Sequence, residues 1–572
     1  MTSQDNYWIR RLQSGGVSRR RFVGGAAVAG VGAAGLGLVG CGGDSTSSSG
    51  GEPTTKPGGQ TGTATPAGAP KRGGTLKTTI NGDPPSLDPF LNLSYRSQGV
   101  ASFVYSRLFR IESGPDIAPG DLRVTPDVAA SREIPDTLTF TVKLKPGVKW
   151  QNVPPLNGRP LTSADVKYSF ERFMALSPNR TSLASVEGVQ TPDDSTVTFK
   201  LKTPMAPLEF YLGSPTHLYL MPREVIEADG DANKRMIGTG PLILEKYEPS
   251  SVVKWRRNPD YHVAGQPSVD GVDWIIIADA ATATANIRSG QLDVGGIPSA
   301  DVESAKQANP KATFTSYQPF TCNSLWFDVT KPPFDDIRVR QAASMAIDRR
   351  GLVAAAYNGK GAVQNAIPAG YQAWTLAAND PEMGTAKRYL EHNVKDAKDL
   401  LAQAGYGNGL TTTLSGTTGY GATNNQVMEL LAEMLKEAGI NANLVMKEYA
   451  AHIATTFVGK FTGMAGGIGS TFFEPDDLLT SLYSSTSPRR NTLVNDPKVD
   501  DLILKQRQEL DAPKRKQIIN QLQKYLVEQA YLPPTAAGDV FVVSHPWVKN
   551  YFPKSTGSYD SQWISRAWID RG

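Results

Sequence analysis

Catalytic chemistry needs particular side chains at particular spacings, and few such constellations occur here. The five histidines, His217, His262, His392, His452 and His545, are scattered singly, and no H-x-x-x-H or C-x-x-C pair supplies metal-ligand spacing. Each reads as a surface or core residue, and no metal or other cofactor is expected. No G-x-S-x-G elbow presents a serine, and Cys322 has no companion motif. Gly359-Lys360 and Gly459-Lys460 are not followed by Ser or Thr, so no P-loop is present. Gly30-Val31-Gly32-Ala33-Ala34-Gly35 matches G-x-G-x-x-G, but no strand precedes it and it lies inside an uncharged leader. The densest acids are Glu474, Asp476 and Asp477, after a Gly-rich stretch. A pair such as Glu474 and Asp476 could serve a hydrolase as acid and base. The simpler reading is a solvated turn leading into a helix.

The elements that would position any site are mixed along the chain. Leu138 to Leu144 alternates and is closed by Pro146-Gly147, Val197 to Leu201 alternates, and so do Ile440, Ala442, Leu444 and Met446. Val427, Leu430, Leu431, Met434, Leu435 and Ala438 recur at helical spacing, with Gly439 as the stop. Thr162-Ser163-Ala164-Asp165 has capping-box spacing, with Asp in place of Glu, ahead of Val166, Phe170 and Phe173. No repeat of fixed period appears. The 572 residues are too many for one core, and 20% charged residues with 8% aromatics are ordinary for folded protein. A multi-domain α/β or α+β protein is expected.

The formal charge of +4 hints at an anionic partner, but its location removes the hint. Residues 1–40 hold Arg10, Arg11, Arg19, Arg20 and Arg21 against Asp5 alone, and the remainder is formally neutral. No nucleic-acid partner is expected. After the arginines, an uncharged run from Phe22 to Gly40 contains seven glycines, which weakens it as a membrane-spanning helix. A charged start, a weakly apolar run and a small residue before a cut form the layout of an export signal, here 1–40. Ser18-Arg19-Arg20-Arg21-Phe22-Val23 resembles a twin-arginine export motif, with Arg19 and Arg20 as its pair. Leu38-Val39-Gly40-Cys41 resembles a bacterial lipobox, which implies acylation of Cys41. Residues 41–72, rich in Gly, Ser, Thr and Pro, read as a flexible tether spanning on the order of 30 Å. The expected location is outside the cytoplasm, anchored to the membrane by lipid, and Cys322 is left as a lone thiol.

Ordered blocks from residue 73 onward resemble the bacterial solute-binding proteins of the peptide and nickel group, family 5 of ABC-importer binding proteins. They are Gly73-Gly74-Thr75-Leu76 with Ser86-Leu87-Asp88-Pro89, Leu144-Lys145-Pro146-Gly147-Val148-Lys149-Trp150 with Pro160 to Val166, Gly238-Thr239-Gly240-Pro241, and Arg257-Asn258-Pro259-Asp260-Tyr261. Pro333 to Ala342 with Ala346-Ile347-Asp348-Arg349, and Asp511-Ala512-Pro513 running on to Leu532-Pro533-Pro534, complete the set. The resemblance implies an enlarged, two-lobed, hinged α/β fold of the class II, cluster C-like type. Lobe I would comprise 73–319, with an extra subdomain, plus 531–572; lobe II would be 320–530. It also implies a monomer that closes on a peptide-like solute and docks on an ABC permease served by separate ATPases.

The family's dipeptide binders hold the solute ammonium with an Asp three residues before an acid, and here that position is Thr471. Their carboxylate-binding Arg aligns with the neutral run Asn424-Asn425-Gln426. Both charged anchors are thus absent from this alignment, which favours a neutral or longer solute, either a peptide gripped by its backbone or an oligosaccharide. The ligand-contacting residues expected from the resemblance are Ser94, Tyr95, Tyr420, Asn424, Asn425, Thr471, Phe472 and Phe473. Two readings compete: a secreted hydrolase using Glu474 and Asp476, and a surface adhesion or chaperone-like module without a closed cleft.

Overall fold

The computed structural model describes residues 69–92, 94–487, 493–557, 560 and 562–571. Arg19, Arg20, Cys41 and most of the expected tether lie outside them. Among the described residues, no helix is long and apolar enough to cross a membrane, and no group of His, Cys, Asp or Glu could hold a metal ion.

The elements expected from side-chain spacing are present. Thr139–Leu144 is a strand whose Phe140, Val142 and Leu144 face inward, and it pairs with Thr196–Leu201. Ala422–Glu437 is a helix whose Val427, Leu430, Leu431, Met434 and Leu435 are buried, and Gly439 follows it at φ 94°. That left-handed conformation is the reason for a glycine there. In the helix Ser163–Leu176, the Thr162 N–H donates to the Asp165 carboxylate at 2.9 Å. Asp165 also accepts from the Trp150 indole at 3.3 Å and pairs with Arg159 at 2.8 Å, so two family-like blocks lock together through it.

In the first lobe, Thr75–Ile80, Gly271–Ile276, Val252–Arg257 and Leu242–Glu248 form a four-stranded sheet. Its first pair is parallel and the others are antiparallel. A second, antiparallel sheet is ordered Ala129–Asp136, Thr139–Leu144, Thr196–Leu201, Val186–Asp193. Together they enclose one large core, which includes Trp150 and Trp255 and also takes Val548, Ile564 and Ala567 from the C-terminus. The second lobe is built on the sheet Thr321–Phe327, Met464–Thr471, Leu410–Thr417, Ile440–Lys447. Its core lies in two clusters, one under the 422–437 helix and one around Phe320, Trp326, Phe472 and Phe473.

The chain passes between the lobes at two adjacent places. Thr313–Tyr317 pairs with Val540–Ser544 in a three-stranded sheet beside the first lobe, and the next strand, Thr321–Phe327, belongs to the second-lobe sheet. On the way back, Ala536–Gly538 pairs with Gly361–Val363 before Val540–Ser544 begins. The return therefore falls at Asp539, not near 531. Residues 532–538 remain with the second lobe because the Leu325 N–H donates to Pro533 O and the Thr535 N–H to Asn323 O. Gln318 donates from Nε2 to the Asp539 carboxylate, which ties the two crossings together.

Candidate functional site

The second-lobe wall grows from the end of the strand Leu410–Thr417. Thr417 is buried, and its hydroxyl accepts from the Gly419 N–H at 3.1 Å, tightening the turn into the 422–437 helix. Asn424 is buried at that helix start and donates from Nδ2 to Thr417 O at 3.1 Å. This fixes the amide orientation and leaves Asn424 Oδ1 and the neighbouring Asn425 Oδ1 buried without a hydrogen-bond partner among the described residues. Gly467, at φ 109°, lies against Asn424, and a Cβ there would come within 2.9 Å of Oδ1. A buried acceptor without a donor costs about 1–3 kcal/mol, so these carbonyls are suited to an N–H or O–H from outside the chain.

Aromatic rings continue the wall. Tyr420 packs edge-on against Tyr449 at 5.7 Å and against His452 at 6.1 Å. His452 is buried, its ring 6.1 Å from both Trp326 and Phe457, which are themselves 5.9 Å apart. Burial, with Lys447 adding to it, pushes the imidazole down to about 4, so it is neutral near pH 7. Thr471 is half-buried, and its hydroxyl pairs with that of Thr321 at 2.9 Å across adjacent strands.

The first-lobe side carries Ser94 and Tyr95. Ser94 caps the helix Tyr95–Val104, accepting from the Arg96 N–H at 3.3 Å. Tyr95 donates its hydroxyl to Asn81 Oδ1, and its ring packs against the first-lobe core. Tyr449 of the second lobe senses the charge of both Tyr95 and Arg96, although burial is the main cause that raises its phenol. Tyr95 and Arg96 of the first lobe therefore lie near Tyr449 of the second.

Of the eight expected contact residues, Ser94 and Tyr95 belong to the first lobe, and Tyr420, Asn424, Asn425 and Thr471 to the second. Phe472 and Phe473 are buried in the second-lobe core, and Phe473 meets Phe320 edge-on at 6.1 Å, because the strand end turns inward before the next helix. Arg96, Tyr449, His452 and Asn81 carried no sequence signal that placed them at the site. Tyr449 and His452 follow a strand on a short helix, Tyr449–Ala454, and their partners come from distant segments.

Glu474 and Asp476 are neither solvated nor free for catalysis. They start the helix Pro475–Tyr483 and are buried. Arg515 pairs with Glu474, and Arg507 pairs with Asp476 at 2.7 Å. The Tyr211 hydroxyl, from the first-lobe core, donates to the same Asp476 carboxylate at 2.7 Å. Burial alone would raise both acids. It prevails at Glu474, which is raised, whereas Arg507 and its hydrogen bonds hold Asp476 low. Cys322 is a free, buried thiol whose ionisation burial suppresses.

Comparisons with known proteins agree with this architecture. Residues 123–489 match the model of bacterial extracellular solute-binding proteins, family 5 middle. Di/tripeptide-binding protein 1 of Pseudomonas aeruginosa is 25% identical over 490 residues, covering 80% of this chain and 88% of the relative. Glutathione-binding protein GsiB of Pectobacterium atrosepticum is 28% identical over 428 residues, covering 70% and 76%. Among solved structures, the periplasmic binding protein DppA from Helicobacter pylori with the peptide STSA superposes with a TM-score of 0.76 at 24% identity, covering 88% of this chain and 99% of that one. AgaA from A. tumefacien R10, in complex with agropinic acid, gives 0.74 at 25% identity, covering 87% and 99%. With the family model matching well over half its length, the chain belongs to family 5 of the bacterial extracellular solute-binding proteins.

Proposed function

We propose that this chain captures a peptide-like solute between its lobes and delivers it to an ABC permease driven by separate ATPases. The observation that carries this reading is the two-lobed architecture joined by two adjacent crossings. Such a hinge lets a solute favour the closed state through contacts made to both lobes at once. The buried acceptors Asn424 Oδ1 and Asn425 Oδ1 suit backbone N–H groups, and Tyr420 and Tyr449 supply apolar faces. Relatives named for dipeptides, tripeptides and glutathione point to the same solute class. Ser94, Tyr95, Tyr420, Asn424, Asn425 and Thr471 are the proposed contacts.

Calorimetry against tripeptides, tetrapeptides and oligosaccharides tests the reading. Micromolar binding to peptides, about −8 kcal/mol, is expected, together with compaction in solution scattering. Oligosaccharide binding alone, or peptide binding without closure, would overturn it. The proposed mature form is a monomer lipidated at Cys41 after export directed by Arg19 and Arg20. In the producing cell, Cys41→Ser should move the protein from the membrane to the soluble extracytoplasmic fraction, and an unchanged distribution would exclude that anchor.

A further inference from the structure

Arg96 is a half-buried cation on the first-lobe wall, and the contacts its guanidinium makes are long. Nε lies 3.3 Å from the Tyr95 hydroxyl, Nη1 3.4 Å from Asp83 O, and Nη2 3.5 Å from Asn81 O. No carboxylate lies within ion-pair distance of it among the described residues. The nearby carboxylate, Asp83, is already engaged by the Ser250 N–H at 2.8 Å, the Tyr247 hydroxyl at 2.9 Å and the Ser250 hydroxyl at 3.1 Å.

Several other buried arginines are held by strong acceptors. Arg172 is paired with Asp88 and Arg507 with Asp476. Arg349 is surrounded by the carbonyls of Pro534, Ser344 and Leu390. Arg96 differs in lacking a strong acceptor while keeping a fixed seat. That seat is Gly82, where a Cβ would come within 2.5 Å of Nη1 and 2.7 Å of the guanidinium carbon. The absence of a side chain at position 82 is what lets the planar group lie down beside the 81–83 backbone. Tyr449 of the second lobe, itself packed on Tyr420, is near enough to feel the charge of Arg96.

We propose that Arg96, seated over Gly82, binds a carboxylate of the solute. The solute class is thereby narrowed to peptides carrying an anionic group at the first-lobe end of the cleft. A guanidinium offers two parallel N–H donors to a carboxylate, and closing of the lobes strengthens the pair by excluding water. The expected carboxylate anchor at the start of the 422–437 helix is neutral in this chain, so Arg96 supplies positive charge from the opposite wall. This inference rests on the peptide-capture reading.

The test uses two matched probe pairs: tetra-alanine and its C-terminal amide, and Ala-Glu-Ala amide and Ala-Gln-Ala amide. Calorimetry on the purified protein should show the wild type preferring the carboxylate member of at least one pair by on the order of tenfold. Arg96→Gln should abolish that preference, and Arg96→Lys should retain most of it. Gly82→Ala, which displaces the guanidinium without removing its charge, should reduce it. Equal melting temperatures would show that the variants are folded. A carboxylate preference that survives in Arg96→Gln, or a wild type that binds both members of each pair equally, overturns the assignment of Arg96 and leaves peptide capture standing. Binding to none of the four probes, and to no longer peptide, overturns peptide capture and this inference with it.

Discussion

At the residue scale, side chains that look reactive in the sequence are mostly structural. Asp88, from the Ser-Leu-Asp-Pro turn, is fully buried, pairs with Arg172, and accepts from the Phe90 N–H at 3.0 Å and the Ala232 N–H at 3.2 Å. Asp88→Ala leaves a buried cation unpaired and should cost about 3–5 kcal/mol in urea unfolding. His452 gives a signed pH dependence. Its folded value, about 4, lies below the ordinary histidine value of about 6.5. Between these pH values the unfolded chain takes up a proton that the folded chain refuses, so stability is lost as pH falls through that window. Urea midpoints at pH 7 and pH 4.5 should drop less in His452→Phe than in the wild type, and equal drops would assign the loss to other groups.

At the scale of elements, the 422–437 helix does two jobs with one sequence. Its apolar stripe anchors it to the second-lobe core, and its first turn presents Asn424 and Asn425. Leu431 is fully buried on the stripe, and Leu431→Ala should lower stability by about 2–5 kcal/mol, with solute affinity retained in the folded fraction. Asn424→Ala should have the opposite profile. It removes an unpartnered acceptor together with the hydrogen bond donated to Thr417 O, so stability should fall by only about 1 kcal/mol while peptide affinity falls by about tenfold. Binding isotherms and unfolding curves on both variants separate the two roles.

At the scale of the whole molecule, the lobes meet at more than the hinge. The Tyr211–Asp476 hydrogen bond spans them, as do those from Ser182 to Asp477 at 3.1 Å and from the Ala206 N–H to Arg507 O at 2.8 Å. These contacts hold the lobes in the arrangement described, and we expect them to favour closure. Tyr211→Phe removes one hydrogen bond of about 1 kcal/mol, enough to shift an open–closed equilibrium severalfold toward open. Scattering should then report a larger radius of gyration for the unliganded variant than for the wild type, converging once solute is added. Identical radii without solute would show that this bond does not contribute to closure.

Periodicity alone placed the strand at Thr139–Leu144 and the helix at Ala422–Glu437, because both patterns are local and each is set by a single buried face. The ordered blocks marked the family, yet the structure shows them to be scaffold. Trp150 and Asp165 bind each other, and Arg340 and Arg349 hold backbone carbonyls. What the sequence settled by itself was the family, the mixed α/β character and the neutrality of everything after residue 40. Only tertiary structure decided that Phe472 and Phe473 belong to a core, that Glu474 and Asp476 are consumed by Arg515 and Arg507, and that Arg96 is seated over Gly82. Those outcomes depend on contacts between residues far apart in the chain, whose burial and pairing no local spacing encodes.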